Sequence, residues 1–499
     1  MPHVQNSIII RNLHPYFCSK SHLMRIRNTL ILLLLPFFSF TQNVTQTIRG
    51  QITDKESKFI LLGATTIVYV DSTMVAGAVS DESGNFRIEN VPVGRINLLV
   101  RYVGYDDVFL SNLILTGGKE MILNIEMQES AVLLEGVTIS ANQNRGEVNN
   151  EMAVVSVRTF SVEETDRYAG SRGDPARMAS NFAGVQGADD SRNDIVVRGN
   201  SPIGVLWRLE GIDIPNPNHF AIAGTTGGPV SIINNKYLNN SDFFTGAFPA
   251  EYGNSIAGVF DLNMRRGNNE QHEFSAQLGF LGTELFAEGP INKTKRSSYL
   301  ASFRYSTLQL FQFMNLSIGT SAVPNYYDGA FKLSFPKGNS ILSVFGVGGK
   351  SNIDIIVSEY TKSETELYGD SDRDQYFGTS MAVGGISYGM QINPTTYGKA
   401  VIAYSLQENH ANHELVYRDL EFNIDSIVPN MNYKYQDQKL TALYHLNKKI
   451  NNKNSFKTGI SAEQYYYNHI DSNLNLFTWD WDKRYNYNDN VFLFQAFFP

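Results

Sequence analysis

The sequence predicts a mainly β chain in three folded parts: a small β-sandwich, a mixed α/β unit, and a partial antiparallel transmembrane β-barrel. Three observations carry this. From His272 onward, apolar and polar residues alternate in stretches of about ten, as in membrane strands with one face in lipid. Aromatics make up 12% of the chain, with 26 Tyr, 31 Phe and 40 Gly, a composition compatible with strands. After residue 42 no stretch is apolar for the roughly 18 residues a spanning helix needs, so membrane insertion must use strands.

The first 42 residues read as an upstream extension and a signal. Met24-Arg-Ile-Arg27 is a basic n-region, and Leu30 to Phe40 is an apolar run of 11 residues, too short to span a bilayer. Met24 is the expected start, with cleavage between Phe40 and Asn43. Cys18, the single cysteine, precedes the apolar run and is not a lipoprotein cysteine. A net charge of -8 argues against nucleic-acid binding.

Residues 45–127 carry β-prone runs at Thr47–Thr53, Thr65–Val70 and Ile96–Val103, with turn signals between them at Asp54–Ser57, Asp81–Gly84 and Pro92–Gly94. Short strands so punctuated predict a sandwich. Gly50–Asp54, Gly63-Ala64, Asp81–Phe86, Val91–Gly94 and Val103–Tyr105 together resemble a carboxypeptidase-regulatory-like domain. Residues 43–140 contain no His and no Cys, so a typical zinc site is absent and a binding or spacer role is expected.

Residues 128–151 read as a linker. Within it Leu133, Leu134, Glu135, Gly136, Val137, Thr138, Ile139 and Ser140 form a β-prone run followed by a polar stretch. Such a run is either a last sandwich strand or a strand that pairs with the edge of another protein. It resembles the TonB box that precedes the plug of outer-membrane transporters, and this implies a TonB-type energising complex as partner.

Residues 152–266 read as mixed α/β. Ser161–Thr165 has a capping-box pattern, and Asp174-Pro175 is a favourable helix start. Between Ile195 and Phe220, Arg198, Arg208 and Glu210 lie among apolar strand residues, and buried charges need partners. Asn193–Asn200, Leu209–Asp213, Pro249–Gly253 and Gly258–Leu262 resemble the plug domain of a TonB-dependent receptor. The resemblance implies that Arg198, Arg208 and Glu210 face groups of a surrounding barrel.

In residues 270–499 the alternation is legible strand by strand. Tyr299, Ala301, Phe303 and Tyr305 oppose Ser302 and Arg304. Phe331, Leu333 and Phe335 oppose Lys332 and Ser334. Ala400, Ile402, Tyr404 and Leu406 oppose Lys399 and Ser405, although Val401 and Ala403 break the pattern. Short turns (289–296, 336–339, 393–396, 447–454) alternate with expected long polar loops (307–326, 350–379, 408–436, 469–489). About ten strands result, against roughly 22 in plugged transporters. The expectation is therefore a fragment of a larger barrel, in which some of the three plug charges are exposed or unpaired.

No catalytic motif stands out. His410-Ala-Asn-His413-Glu414 lacks the order and helix of a zinc protease and is expected in an outer loop; Asp370–Asp374 lacks the Gly and distant Glu of a calcium loop. No metal, no cofactor and no enzyme activity is expected. The resemblance implies active transport of an unidentified ligand across the bacterial outer membrane, with outer-membrane lipid and a surface lipoprotein as further partners. The alternative is a ligand-binding or signalling receptor without transport.

Overall fold

The computed structural model describes residues 44–130, 156–160, 165, 170–171, 173–239, 241–279, 282–306, 324–360 and 370–498. The signal region, the run Leu133–Ser140 and Ser161–Glu164 of the capping box lie outside them. The described chain is nearly all β.

The first seven strands are β1 (Thr45–Asp54), β2 (Thr65–Val70), β3 (Thr73–Val79), β4 (Asn85–Pro92), β5 (Gly94–Arg101), β6 (Val108–Leu115) and β7 (Met121–Met127). They form two sheets, β4-β1-β7 and β3-β2-β5-β6, with β1 and β7 parallel. Alternate residues of both sheets, including Ile48, Ile52, Val68, Phe86, Leu98 and Val100, bury one core between them. The turn into β4 is set by Asp81, whose Oδ1 accepts from Ser83 N and Asn85 N at 2.8 Å each. Gly84 follows at φ +71, where a Cβ would also meet the Ile60 side chain at 2.4 Å.

The middle unit contains β8 (Val157–Phe160), α1 (Pro175–Ala179), β9 (Val185–Gly187), β10 (Ile195–Val197), β11 (Val205–Leu209), β12 (Ile212–Ile214), β13 (Asn218–His219), β14 (Val230–Ser231), β15 (Ser241–Phe244) and β16 (Gly258–Leu262). Helix α1 begins as its sequence dictates. Asp174 Oδ1 accepts from Ala176 N at 2.8 Å, and Pro175 occupies the first turn. The central sheet runs β12-β11-β16-β15-β8, with β11 and β16 parallel. Trp207 stacks on Phe260 at 4.2 Å between centroids, and Phe243 lies 4.4 Å from the same ring.

The remaining strands are β17 (Glu273–Leu278), β18 (Thr283–Asn292), β19 (Ser297–Tyr305), β20 (Asn325–Lys337), β21 (Ser340–Ile355), β22 (Arg373–Asn393), β23 (Thr396–Arg418), β24 (Ile424–Asn451), β25 (Asn454–Leu474) and β26 (Trp481–Phe497). They form one antiparallel sheet in sequence order. Its outer face is apolar and exposed: Phe303 is 49% exposed, Ile402 62% and Phe492 62%. Its inner face is polar near the short turns and apolar where it meets the middle unit. Val401 and Ala403, which break the alternation, lie with Phe345, Val347 and Leu443 in one core shared with Trp207, Leu209 and Phe260. The break is where the sheet exchanges a polar inner surface for a packed one.

Two expectations about the connections are corrected. The segments expected as long loops at 408–436 and 469–489 are mostly strand, because β23 and β24 are separated only by residues 419–423 and β25 and β26 by 475–480. Strand β24 has 28 residues, whereas a membrane strand needs only about 10. These hairpins are therefore much longer than a bilayer requires. The physical reason is that polar and tyrosine-rich segments still satisfy every backbone group by pairing, whether or not lipid lies outside. His410 and His413 accordingly stand in β23, not in a loop.

Candidate functional site

The stretch that joins the middle unit to the sheet is β10 to β13. Two of its three charges sit in turns, not within strands. Arg198 and Gly199 have φ of 51° and 82°, and Glu210 and Gly211 have 56° and 94°. Both central residues of each turn are thus left-handed, the conformation that closes a two-residue hairpin with the right twist. The second turn links β11 to β12, with Leu209 opposite Ile212. It presents Glu210 at the tip.

Glu210 reaches the sheet. Its Oε1 lies 2.6 Å from Lys332 Nζ of β20 and accepts from Met264 N at 2.9 Å. Its Oε2 lies 3.5 Å from Lys399 Nζ of β23, and the same ammonium donates to the Glu210 carbonyl at 3.0 Å. Burial pushes the Glu210 carboxyl up, but Lys332 and Lys399 outweigh it and hold the group at about 2.

Arg208 is buried in the middle of β11 and finds its partners within its own unit. Asp213 lies 3.4 Å away across β12, Glu251 lies 3.5 Å away, and its guanidinium stands 4.7 Å over the Tyr252 ring. Its Nε has no hydrogen-bond acceptor. Burial opposes its charge, yet Asp261, Glu251 and Asp213 hold it protonated. Glu251 passes the connection outward, since Lys457 of β25 bonds both its oxygens at 2.6 and 2.7 Å. Arg198 is exposed and donates to Ser156 Oγ at 2.6 Å and Thr245 Oγ1 at 3.2 Å. Among the described residues no carboxylate pairs with it. Of the three charges, Glu210 alone touches the sheet directly among the described residues.

Further inward charges complete the seam. His219 Nε2 lies 2.9 Å from Asp328 Oδ2, which Arg304 also holds at 2.7 Å. Glu288 receives Arg265 at 2.6 Å and Lys119 of the sandwich. Lys449, beside the β24–β25 turn, contacts Asp54 at 2.6 Å and Glu129 at 2.8 Å. Sequence reasoning placed Lys332, Lys399 and Arg304 on the polar side of their strands without assigning them a role. Their signal was a long cation facing away from lipid.

Between the sandwich, the middle unit and the short-turn end of the sheet lies a cavity of about 3140 Å³, whose lining includes Arg208, Arg265, Arg266, Lys399 and Lys457. Among the described residues no group of three or more His, Cys, Asp or Glu is placed to hold a metal.

Residues 48–139 match the CarboxypepD_reg-like domain family. The TonB-dependent transporter Oar of Myxococcus xanthus is 25% identical over 245 residues, covering 48% of this chain and 22% of that protein. The chain is a homologue of TonB-dependent transporters. It spans about a fifth of the length of that curated relative. Among solved structures, FpvA of P. aeruginosa, determined with bound pyoverdines, is similar over 71% of this chain and 49% of its own, at 12% identity and a TM-score of 0.49. The outer membrane transporter YddB of Escherichia coli is similar over 68% and 53%, at 11% identity and a TM-score of 0.45. The apolar, exposed outer face of this chain's own sheet is what strands with one side in lipid require. The family match runs through Ile139, so it takes in most of the run Leu133–Ser140 as well as the sandwich.

Proposed function

We propose that the chain is part of a TonB-dependent importer of the bacterial outer membrane, with residues 152–266 as its plug and residues 270–499 as barrel wall. The observation that carries this reading is the seam at Glu210. A unit that must seal a barrel yet move needs an interface strong in place and capable of exchange. Apolar packing around Trp207 supplies the first, and the Glu210–Lys332–Lys399 cluster supplies the second, because water can replace each bond once the contact opens.

Pulling on Leu133–Ser140 from the periplasm loads the plug through β8, the edge strand of its central sheet. The edge strand peels first, since among the described residues β15 alone pairs with it. The cation-lined cavity beneath then receives what passes. Energy comes from the inner membrane through a TonB-type complex. Deleting residues 133–140 tests this in cells that produce the protein. Uptake stops and ligand binding persists; continued uptake refutes the assignment of that run.

A further inference from the structure

We infer that the β-sandwich is a releasable cap. Two ion-pair clasps of opposite polarity hold it against the short-turn end of the sheet, and while docked it covers the cavity there. This concerns how the parts of the chain engage one another and goes beyond the import reading.

The docking interface is built of polar contacts. Among the described residues no sandwich side chain belongs to the apolar core around Trp207 and Phe260, and the sandwich core takes none from the middle unit or the sheet. The first clasp is cationic on the sandwich side. Arg49 of β1 donates to Asn269 Oδ1 at 2.9 Å and also to Asn268 Oδ1. Arg87 of β4 lies 2.6 Å from Glu270, and the Lys119 ammonium bonds Glu288 of β18. The second clasp is anionic on the sandwich side. Asp54, at the end of β1, and Glu129 hold Lys449 of β24 at 2.6 and 2.8 Å. Beside them Gln391 Nε2 donates to the Ser57 carbonyl at 3.2 Å.

The clasps lie at opposite ends of β1. At about 3.3 Å per residue, Arg49 and Asp54 stand about 17 Å apart. The strands gripped, β18 and β24, are six places apart in the order of the sheet. Strand β1 therefore reaches across the end of the sheet. Gly50 and Gln51, between the clasps, line the cavity that Arg208 and Lys399 line from the middle unit and the sheet. The opposed polarity fixes one orientation. Turned end for end, the sandwich would set Arg87 and Lys119 against Lys449, and like charges repel.

The same contacts let the sandwich leave. Each deeply buried carboxylate has a second partner in its own unit. Arg265 bonds both oxygens of Glu288 at 2.6 and 2.8 Å. Asp54 keeps Ser57 N at 2.7 Å and Tyr105 OH at 2.9 Å, and Glu120 keeps Arg49 Nε at 2.8 Å. Undocking therefore strands no buried anion, and Lys449 gains water. The side chains of Arg87, Lys119 and Glu270 are already 38%, 42% and 46% exposed, so salt screens their pairs. An interface closed by apolar packing would not loosen in salt.

The test uses the full chain in detergent on a Cys18→Ser background. Spin labels at Glu82→Cys on the sandwich and Lys453→Cys in the β24–β25 turn, both exposed positions, report docking. Lys293→Cys paired with Lys453→Cys reports the sheet alone and must keep its distance throughout. In about 50 mM salt the docking pair gives one narrow distance. About 1 M salt broadens it, because the screening length falls to about 3 Å. Lys449→Glu and Glu270→Arg each broaden it at low salt. Adding Arg87→Glu to Glu270→Arg restores the narrow distance, which a merely misfolded variant would not regain. A bulky maleimide alkylates Asn263→Cys, inside the cavity, about tenfold faster whenever the docking pair broadens. A broad distance at low salt, a distance indifferent to salt or to Lys449→Glu, absence of the rescue, or an unchanged alkylation rate overturns the inference. No readout involves a ligand or an energy source, so failure of import leaves these results intact.

Discussion

Removing the Glu210 side chain is the most informative perturbation of the seam. Its carboxylate is 5% exposed and faces Lys332 at 8% and Lys399 at 17%. Glu210→Ala leaves two ammonium groups facing each other without their anion, and breaking a buried pair in this way costs about 3–5 kcal/mol. Two details lower the figure. Lys332 still donates to the Met264 carbonyl at 2.7 Å, and the partly exposed Lys399 can turn towards the cavity. About 3 kcal/mol is therefore expected. Glu210→Gln keeps an acceptor for Met264 N and loses only the charge, so its cost is about 2 kcal/mol. Urea-dependent proteolysis of the middle unit in detergent reads the difference. With a slope of about 2 kcal/mol per molar urea, Glu210→Ala lowers the midpoint by about 1.5 M. The double variant Glu210→Leu, Lys332→Met recovers most of the loss, because it removes the stranded charge as well as its partner. A shift below about 1 kcal/mol for Glu210→Ala, or no recovery in the double variant, refutes the idea that this cluster links the middle unit to the sheet.

Other perturbations follow from the same contacts. Glu210 is held at about 2 in the folded chain against an ordinary 4.5. A depressed carboxyl stabilises above the unfolded value, so the urea midpoint should hold from pH 7 to about 5 and fall as pH drops from 4.5 towards 2. Glu210→Gln should flatten that slope. Trp207→Ala removes the ring stacked on Phe260 and should cost about 3–5 kcal/mol in the same assay. Lys449→Ala strands Asp54, whose carboxyl burial pushes up and Lys449 and Ser57 pull down. It should speed amide exchange at Ser57, which donates to Asp54 at 2.7 Å; unchanged exchange would show that the sandwich loop holds itself.

The sequence by itself determined the periodicities and their local consequences. Alternation from His272 specified ten strands with one apolar face, because side chains on a strand switch face at every residue. Asp174-Pro175 specified the start of α1. These signals are read from neighbours in the chain. Strand length was not legible at β23–β26, since polar segments that pair with each other look like loops when read singly.

The partners of the buried charges were decided by tertiary structure alone. Arg198, Arg208 and Glu210 look equivalent in the sequence, yet one meets hydroxyls, one meets carboxylates of its own unit, and one meets two lysines 122 and 189 residues away. A side chain's alternation says which face it takes. Which opposite charge stands across that face depends on the register of strands far apart in the chain, and only the folded sheet brings Lys332 and Lys399 to one carboxylate.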